Sequence, residues 1–213
     1  MRVCYQVGPS QLADVNGREM PSDRPDLDQS VLTAGTDPLT LTGERAIPTA
    51  TAWQEVLRPV LTGVRSAHFT VPSWWSDDQC ALLTEAAAVV GATAQTSPRT
   101  EALAAAVVVE IAPSFVLVIA DGAIQPVPRC ADPPVLAERV CELVRAALSE
   151  DPAPVAIDCP PGVPGAPALR NLIDAALAAA DIAVAETECA VVESAVRSPR
   201  FRWVAATGAV LIV

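Results

Sequence analysis

The sequence predicts an α/β protein made of two copies of a βββαβαβ unit, arranged as two lobes. Three observations predict it. Residues 107–127 hold three apolar runs parted by the turn signals Ala112-Pro113-Ser114 and Asp121-Gly122. Short apolar strands then alternate with segments of helical periodicity, the pattern of sheets crossed by helices. Finally, Gln6-Val7-Gly8-Pro9-Ser10-Gln11-Leu12 lies against Glu110-Ile111-Ala112-Pro113-Ser114-Phe115-Val116 as strand, small-Pro-Ser turn, strand.

The second half carries the clearer signals. Strands are expected at 107–112, 115–120 and 123–127, the last two joined through Asp121-Gly122, a favoured hairpin dipeptide. Asp132 stands as N-cap before Pro133, and Leu136, Val140, Leu143, Val144 and Leu148 follow at helical spacing on one face. A buried strand at 154–158, a Pro/Gly loop at 159–165, a helix at 166–179, a strand at 181–185 and a helix at 187–196 complete the unit.

The first half repeats this order. Strands fit 2–7 and 11–15, with a weaker one near 30–34. A helix from Thr49 places Trp53, Val56, Leu57, Val60 and Leu61 on one face, with Pro59 bending it. A strand at 67–71 precedes Ser76 and Gln79, the spacing of a capping box, and Gly91 ends that helix. A strand at 93–97 and a helix at 98–105 follow. The expected organisation is a first lobe over 1–106 with a surface excursion at 16–43, a second lobe over 107–196, and a tail at 197–213.

Composition narrows the chemistry. A hydrophobic content of 51% is enough for a sizeable core, and a net charge of −11 gives no electrostatic attraction to nucleic acid. All 14 basic residues are arginine, so neither a Walker-type lysine nor a Schiff-base lysine exists. The cysteines at 4, 80, 130, 141, 159 and 189 form no C-x-x-C pair, which argues for small buried hydrophobes in a reducing compartment, not for a metal site. His68 falls within a strand and reads as a packed residue. Asp77-Asp78 opens a helix, where carboxylates complement the dipole.

Two βββαβαβ units in tandem resemble the actin-like ATPases, whose ribonuclease H-like lobes include those of sugar kinases and heat-shock chaperones. The resemblance implies a phosphate between the two hairpin turns, a carboxylate directing water and Mg²⁺, and backbone N–H groups holding oxygens. The candidate positions are then Gln6, Gly8, Ser10, Glu110 and Ser114 at the turns, with Asp158, Gly162 and Gly165 in the adenosine loop. The residues depart from that chemistry. Pro9 and Pro113 each remove an N–H, Gln6 stands where an aspartate would hold metal, and Ala112 replaces glycine. Neither turn has an arginine adjacent in sequence, so no cation is expected at a triphosphate.

Val71-Pro72-Ser73-Trp74-Trp75, the V-V-V-E-I at 107–111 and the I-D-C-P-P-G-V-P-G-A at 157–166 together resemble the N-terminal region of actinobacterial type VII (ESX) secretion-associated proteins. That resemblance implies a cytoplasmic domain held at the inner face of the membrane by a following helix. Arg197, Arg200 and Arg202 before Trp203 and the apolar 204–213 fit the start of such a helix, cut short of the roughly 20 residues a span needs, or else a last strand packed on the core.

The expectation is therefore a pseudo-ATPase, without catalytic residues, metal or cofactor, that serves type VII secretion through protein contacts. Trp74, Trp75 and the 159–165 loop are the candidate contact surface. Two alternatives stand beside it. One is an ATP- and Mg²⁺-binding ATPase in which Glu110 orients water and Ser10 and Ser114 contact phosphate; the other is a structural domain that homodimerises.

Overall fold

A computed structural model describes residues 2–8, 11–14, 18, 20, 27, 30–32, 35–103, 105–129, 132–148, 153–160 and 162–185. Ser10, Cys130, Cys189, most of the 16–34 stretch, the expected 187–196 helix and the 197–213 tail lie outside the described residues.

The first lobe opens with β1 (Arg2–Val7) and β2 (Leu12–Asp14), paired antiparallel, and closes with β5 (Ser66–Val71) and β6 (Thr93–Pro98), both parallel to β1. Its sheet order is β2-β1-β5-β6. Helices α1 (Thr49–Leu61) and α2 (Asp77–Val89) pack together on one face, burying Tyr5, Val7, Trp53, Leu57, Phe69 and Leu83 in a single core. Short α3 (Arg99–Leu103) leads out of this lobe.

The second lobe contains β7 (Val107–Ile111), β8 (Phe115–Ala120), β9 (Ala123–Pro128) and β10 (Val155–Asp158), in the order β10-β7-β8-β9. Helices α4 (Pro133–Leu148) and α5 (Ala166–Ala178) cover one face, and Val109, Ile111, Val116, Val140, Val144 and Ile173 form the core beneath them. The expected strand at 181–185 reduces to a parallel bridge between Val155 and Val184. In both lobes an antiparallel hairpin supplies the first strand, and the strand after the next helix returns parallel to it. The duplicated βββαβαβ plan is present, with the third strand joining the sheet only in the second lobe.

The hairpin turns show the duplication at atomic scale. Gly8 N–H donates to Gln11 O at 2.9 Å, and Ala112 N–H donates to Phe115 O at 2.9 Å, the same bond at aligned positions. At the β8–β9 turn, Asp121 and Gly122 both have positive φ, 50° and 77°, as a type I′ turn requires. Strand β9 is an edge and carries Pro126 and Pro128, opposite Leu117 and Phe115.

Two expectations are corrected. Ser30, Val31 and Leu32 are helical, not a strand; Leu27 and Val31 stand one helical turn apart and are both buried. The excursion assigned to 16–43 ends in a hairpin, β3 (Leu39–Thr42) with β4 (Arg45–Pro48), which forms its own two-stranded sheet. Gly43, at φ 58°, turns it. Thr40 faces inward, where its hydroxyl meets that of Thr49 at 2.8 Å and ties the hairpin to the start of α1.

The capping box is formed in full: Gln79 N–H donates to Ser76 Oγ at 3.3 Å, and Ser76 N–H donates to Gln79 Oε1 at 2.9 Å. Ser76→Ala should lower stability by about 1 kcal/mol, read as a shifted urea midpoint at unchanged slope. An unchanged midpoint would mean that the cap contributes nothing here.

Candidate functional site: the junction between the lobes

The C-terminal ends of β1, β7 and β10 converge with the loop after β5 and the start of α3. Parallel pairing sets Asp158 beside Glu110. Because successive strand residues alternate faces, both side chains leave the helix-covered face, on which Val109 and Ile157 sit, and point toward the first lobe. Glu110 is fully buried, and Asp158, Arg99 and Gln6 nearly so.

Arg99 holds this cluster together. Its Nε and Nη2 donate to the two carboxylate oxygens of Asp158, the Nη2–Oδ1 distance being 2.8 Å. Its Nη1 and Nη2 also lie 3.4 and 3.5 Å from Gln6 Oε1. A residue from the end of the first lobe thus makes a bidentate ion pair with the second. Glu110 is met from the other side: Ser73 N–H donates to its carboxyl oxygens at 3.1 and 3.4 Å. Thr100 N–H donates to Ser73 Oγ at 3.2 Å, which fixes the loop to α3. Burial, first, and the neighbouring Asp158 raise the Glu110 carboxyl from 4.5 to about 7, although Ser73 and Arg99 pull the other way.

A second arginine corrects the expectation that no cation stands by the turns. Arg129 Nη1 donates to Ala112 O at 2.9 Å and Pro113 O at 3.2 Å, while its Nη2 donates to Pro164 O at 2.9 Å. The second hairpin turn and the 159–165 loop therefore offer carbonyl oxygens to a guanidinium. This is the reverse of a phosphate site, which needs N–H groups facing an anion. Of the turn donors, Gly8 N–H and Ala112 N–H are committed across their own hairpins, and proline removes one from each turn.

The expected site residues thus fall into two groups. Gln6, Glu110 and Asp158 come together around Arg99. Ser114, Gly162 and Gly165 lie with Arg129 on the exposed rim, where Gly165 (φ 70°) precedes α5 and a Cβ placed on it would come 3.6 Å from Arg129 Nη2. Gly8 is buried at the end of β1. Sequence reasoning missed both arginines, since each meets its partners far along the chain.

The tryptophans divide between the lobes. Trp75 stands edge-on to Trp53, with ring centroids 6.1 Å apart, against the first-lobe core. Trp74 reaches across and stands edge-on to Phe115 at 5.6 Å, beside Val108, Leu117 and Ile119 on the second sheet. Trp74, Phe115, Pro113, Ser114, Gln79 and Leu32 line a cavity of about 230 Å³ between the lobes. His68 packs in β5 with Nε2 2.8 Å from Ser97 Oγ. Burial pushes the Cys159 thiol up to about 11, which leaves it unreactive at neutral pH. Among the described residues, no group of three potential ligands could hold a metal ion, and no helix is long and apolar enough to cross a membrane.

No family model matches this chain, and no curated protein matches it. Among solved structures, it is similar to the ethanolamine utilization protein EutJ from Carboxydothermus hydrogenoformans, with 12% identity and a TM-score of 0.43 over 83% of this chain and 81% of that one. It is also similar to a non-polymerising mutant of MamK bound to AMPPNP, with 15% identity and a TM-score of 0.41 over 68% of this chain and 58% of that one.

Removing one partner of a buried ion pair leaves the other charge without compensation, a loss of about 3–5 kcal/mol. Arg99→Met should destabilise the protein by that order in urea denaturation. Arg99→Met combined with Asp158→Leu should recover most of it, because neither charge then remains buried alone. A double variant no more stable than the single one would show that the loss comes from packing.

Proposed function

We propose that this chain is a pseudo-ATPase of actin-like architecture that binds proteins and does not turn over nucleotide, acting as an accessory or assembly factor of type VII secretion. The observation that carries the first part is the polarity of the second hairpin turn. Its carbonyl oxygens face Arg129, its Ala112 N–H is committed to Phe115 O, and Pro113 has no N–H to give. An anion brought to this turn would have to compete with these carbonyl oxygens for Arg129. Glu110, the acid that could orient water, is sealed beneath Ser73.

The secretion part rests on the sequence resemblance alone. The three stretches that carry it, 71–75, 107–111 and 157–166, meet at one place. Ser73 donates to Glu110, Glu110 is the strand neighbour of Asp158, and Trp74 crosses to Phe115 just beyond the second stretch. Their residues serve the joining of the lobes. Trp74 lines the cavity between them and is the first contact residue to test.

Calorimetric titration with Mg·ATP and Mg·ADP should give no heat and no thermal shift at millimolar nucleotide; a bound ligand at 100 times its Kd would stabilise the protein by about 2.7 kcal/mol. Micromolar binding that disappears in Glu110→Ala would overturn the proposal in favour of a working ATPase. In cells, loss of the gene should reduce export through a type VII system, with Trp74→Ala failing to restore it. Unaffected export would remove the secretion assignment and leave the pseudo-ATPase reading standing.

A further inference from the structure

The described residues show these attachments between the lobes. Arg99 reaches Asp158, Ser73 reaches Glu110, and Trp74 packs on Phe115 beside the apolar contacts of Leu103 and Ala105. Two of these are polar and belong to one buried cluster. Each lobe keeps its own core under its own helices. Parting at the junction would keep those two cores and uncover only the smaller apolar patch of Val108, Leu117, Ile119 and Ala156, the arrangement from which domain motion arises.

We propose that Glu110, Arg99 and Asp158 form a proton-operated latch on the lobe junction, closed while Glu110 holds its proton and released when the proton leaves.

The groups facing Glu110 set the sign. From β10 comes the Asp158 carboxylate, its strand neighbour. From α3 comes the Arg99 guanidinium, already bidentate on Asp158. From the loop after β5 comes Ser73 N–H, and from β8 only the apolar Leu117. Gln6 of β1 contributes a neutral amide oxygen, turned to Arg99. With Glu110 protonated, one guanidinium faces one carboxylate and the enclosed charge is balanced. With Glu110 ionised, two carboxylates share one guanidinium, and the uncompensated negative charge is sealed from water.

Opening hydrates both carboxylates, so the ionised form favours the open arrangement. The closed state holds its proton up to about 7, against 4.5 for the free group. Its advantage is thus fully present below about 4.5, declines as pH rises, and is lost above about 7. The direction is opposite to that of an ordinary salt-bridged carboxylate, which stabilises the closed form at high pH.

Small-angle scattering and tryptophan emission of the full chain, followed from about pH 5 to about pH 9, test this. The radius of gyration and the emission should change together, with a midpoint between about 4.5 and about 7. Trp74→Phe should remove the emission change and keep the change in radius, because Trp74 is the ring that crosses the junction. Glu110→Gln should stay compact throughout. Asp158→Asn removes the like charge and frees Arg99 for Glu110, so its midpoint should fall by more than about one pH unit. A wild-type protein with constant radius across the range would overturn the latch. The same transition in folded Glu110→Gln would overturn it too. Should Glu110→Gln fail to fold, an unmoved midpoint in Asp158→Asn would do so.

Discussion

One guanidinium answers for the way this molecule is joined. Arg99 leaves the first lobe at the start of α3 and meets Asp158 of the second with both of its forks, while Gln6 closes the third side. Burying that much polarity is tolerable only when every group finds a partner. The rest follows from the need to satisfy it. β7 and β10 lie in the register that sets Glu110 beside Asp158, the 72–75 loop turns Ser73 N–H inward, and α3 is pinned to that loop through Thr100.

The duplicated hairpins show how one backbone device is put to different ends. Both turns repeat the same hydrogen bond, yet their strands have diverged in what precedes it: Gln6 in one, Glu110 in the other. The amide can accept from Arg99 without adding charge, whereas the acid adds a titrating group. Had both positions been carboxylates, a single arginine would have faced three of them. Ion binding by this backbone depends on which polar atoms the turn presents, and here Arg129 occupies the oxygens that point outward.

Much of the fold was legible because it rests on short-range periodicity. Apolar runs parted by turn residues gave β7 to β9, spacing at Leu136, Val140 and Val144 gave α4, and Ser76 with Gln79 marked α2. The β3–β4 hairpin was passed over although Leu39-Thr40-Leu41-Thr42 alternates, since the surrounding Asp, Pro and Thr suggested a loop. Residues 30–32 misled for another reason. Val31 and Leu32 are apolar in either periodicity, and only Leu27, one turn earlier, favours the helix. The site was half legible. Gln6 and Glu110 were placed by the repeat and Asp158 by the adenosine-loop resemblance, but Arg99 pairs across 59 residues, and Arg129 meets backbone carbonyls that any sequence would supply. Local pattern holds no record of such contacts.

Strand β9 bounds the second sheet, and its prolines stand two residues apart, at 126 and 128. Positions of equal parity direct their N–H the same way, and along an edge strand that way is outward, away from the ladder. Of the three outward positions of β9, two lack a hydrogen and only Ile124 keeps one. An incoming strand would find acceptors with few of the donors that alternate with them, which disfavours extending the sheet from this side. Growth of an assembly by joining sheets is thereby discouraged on this flank, and neighbours must be met by side chains and loops.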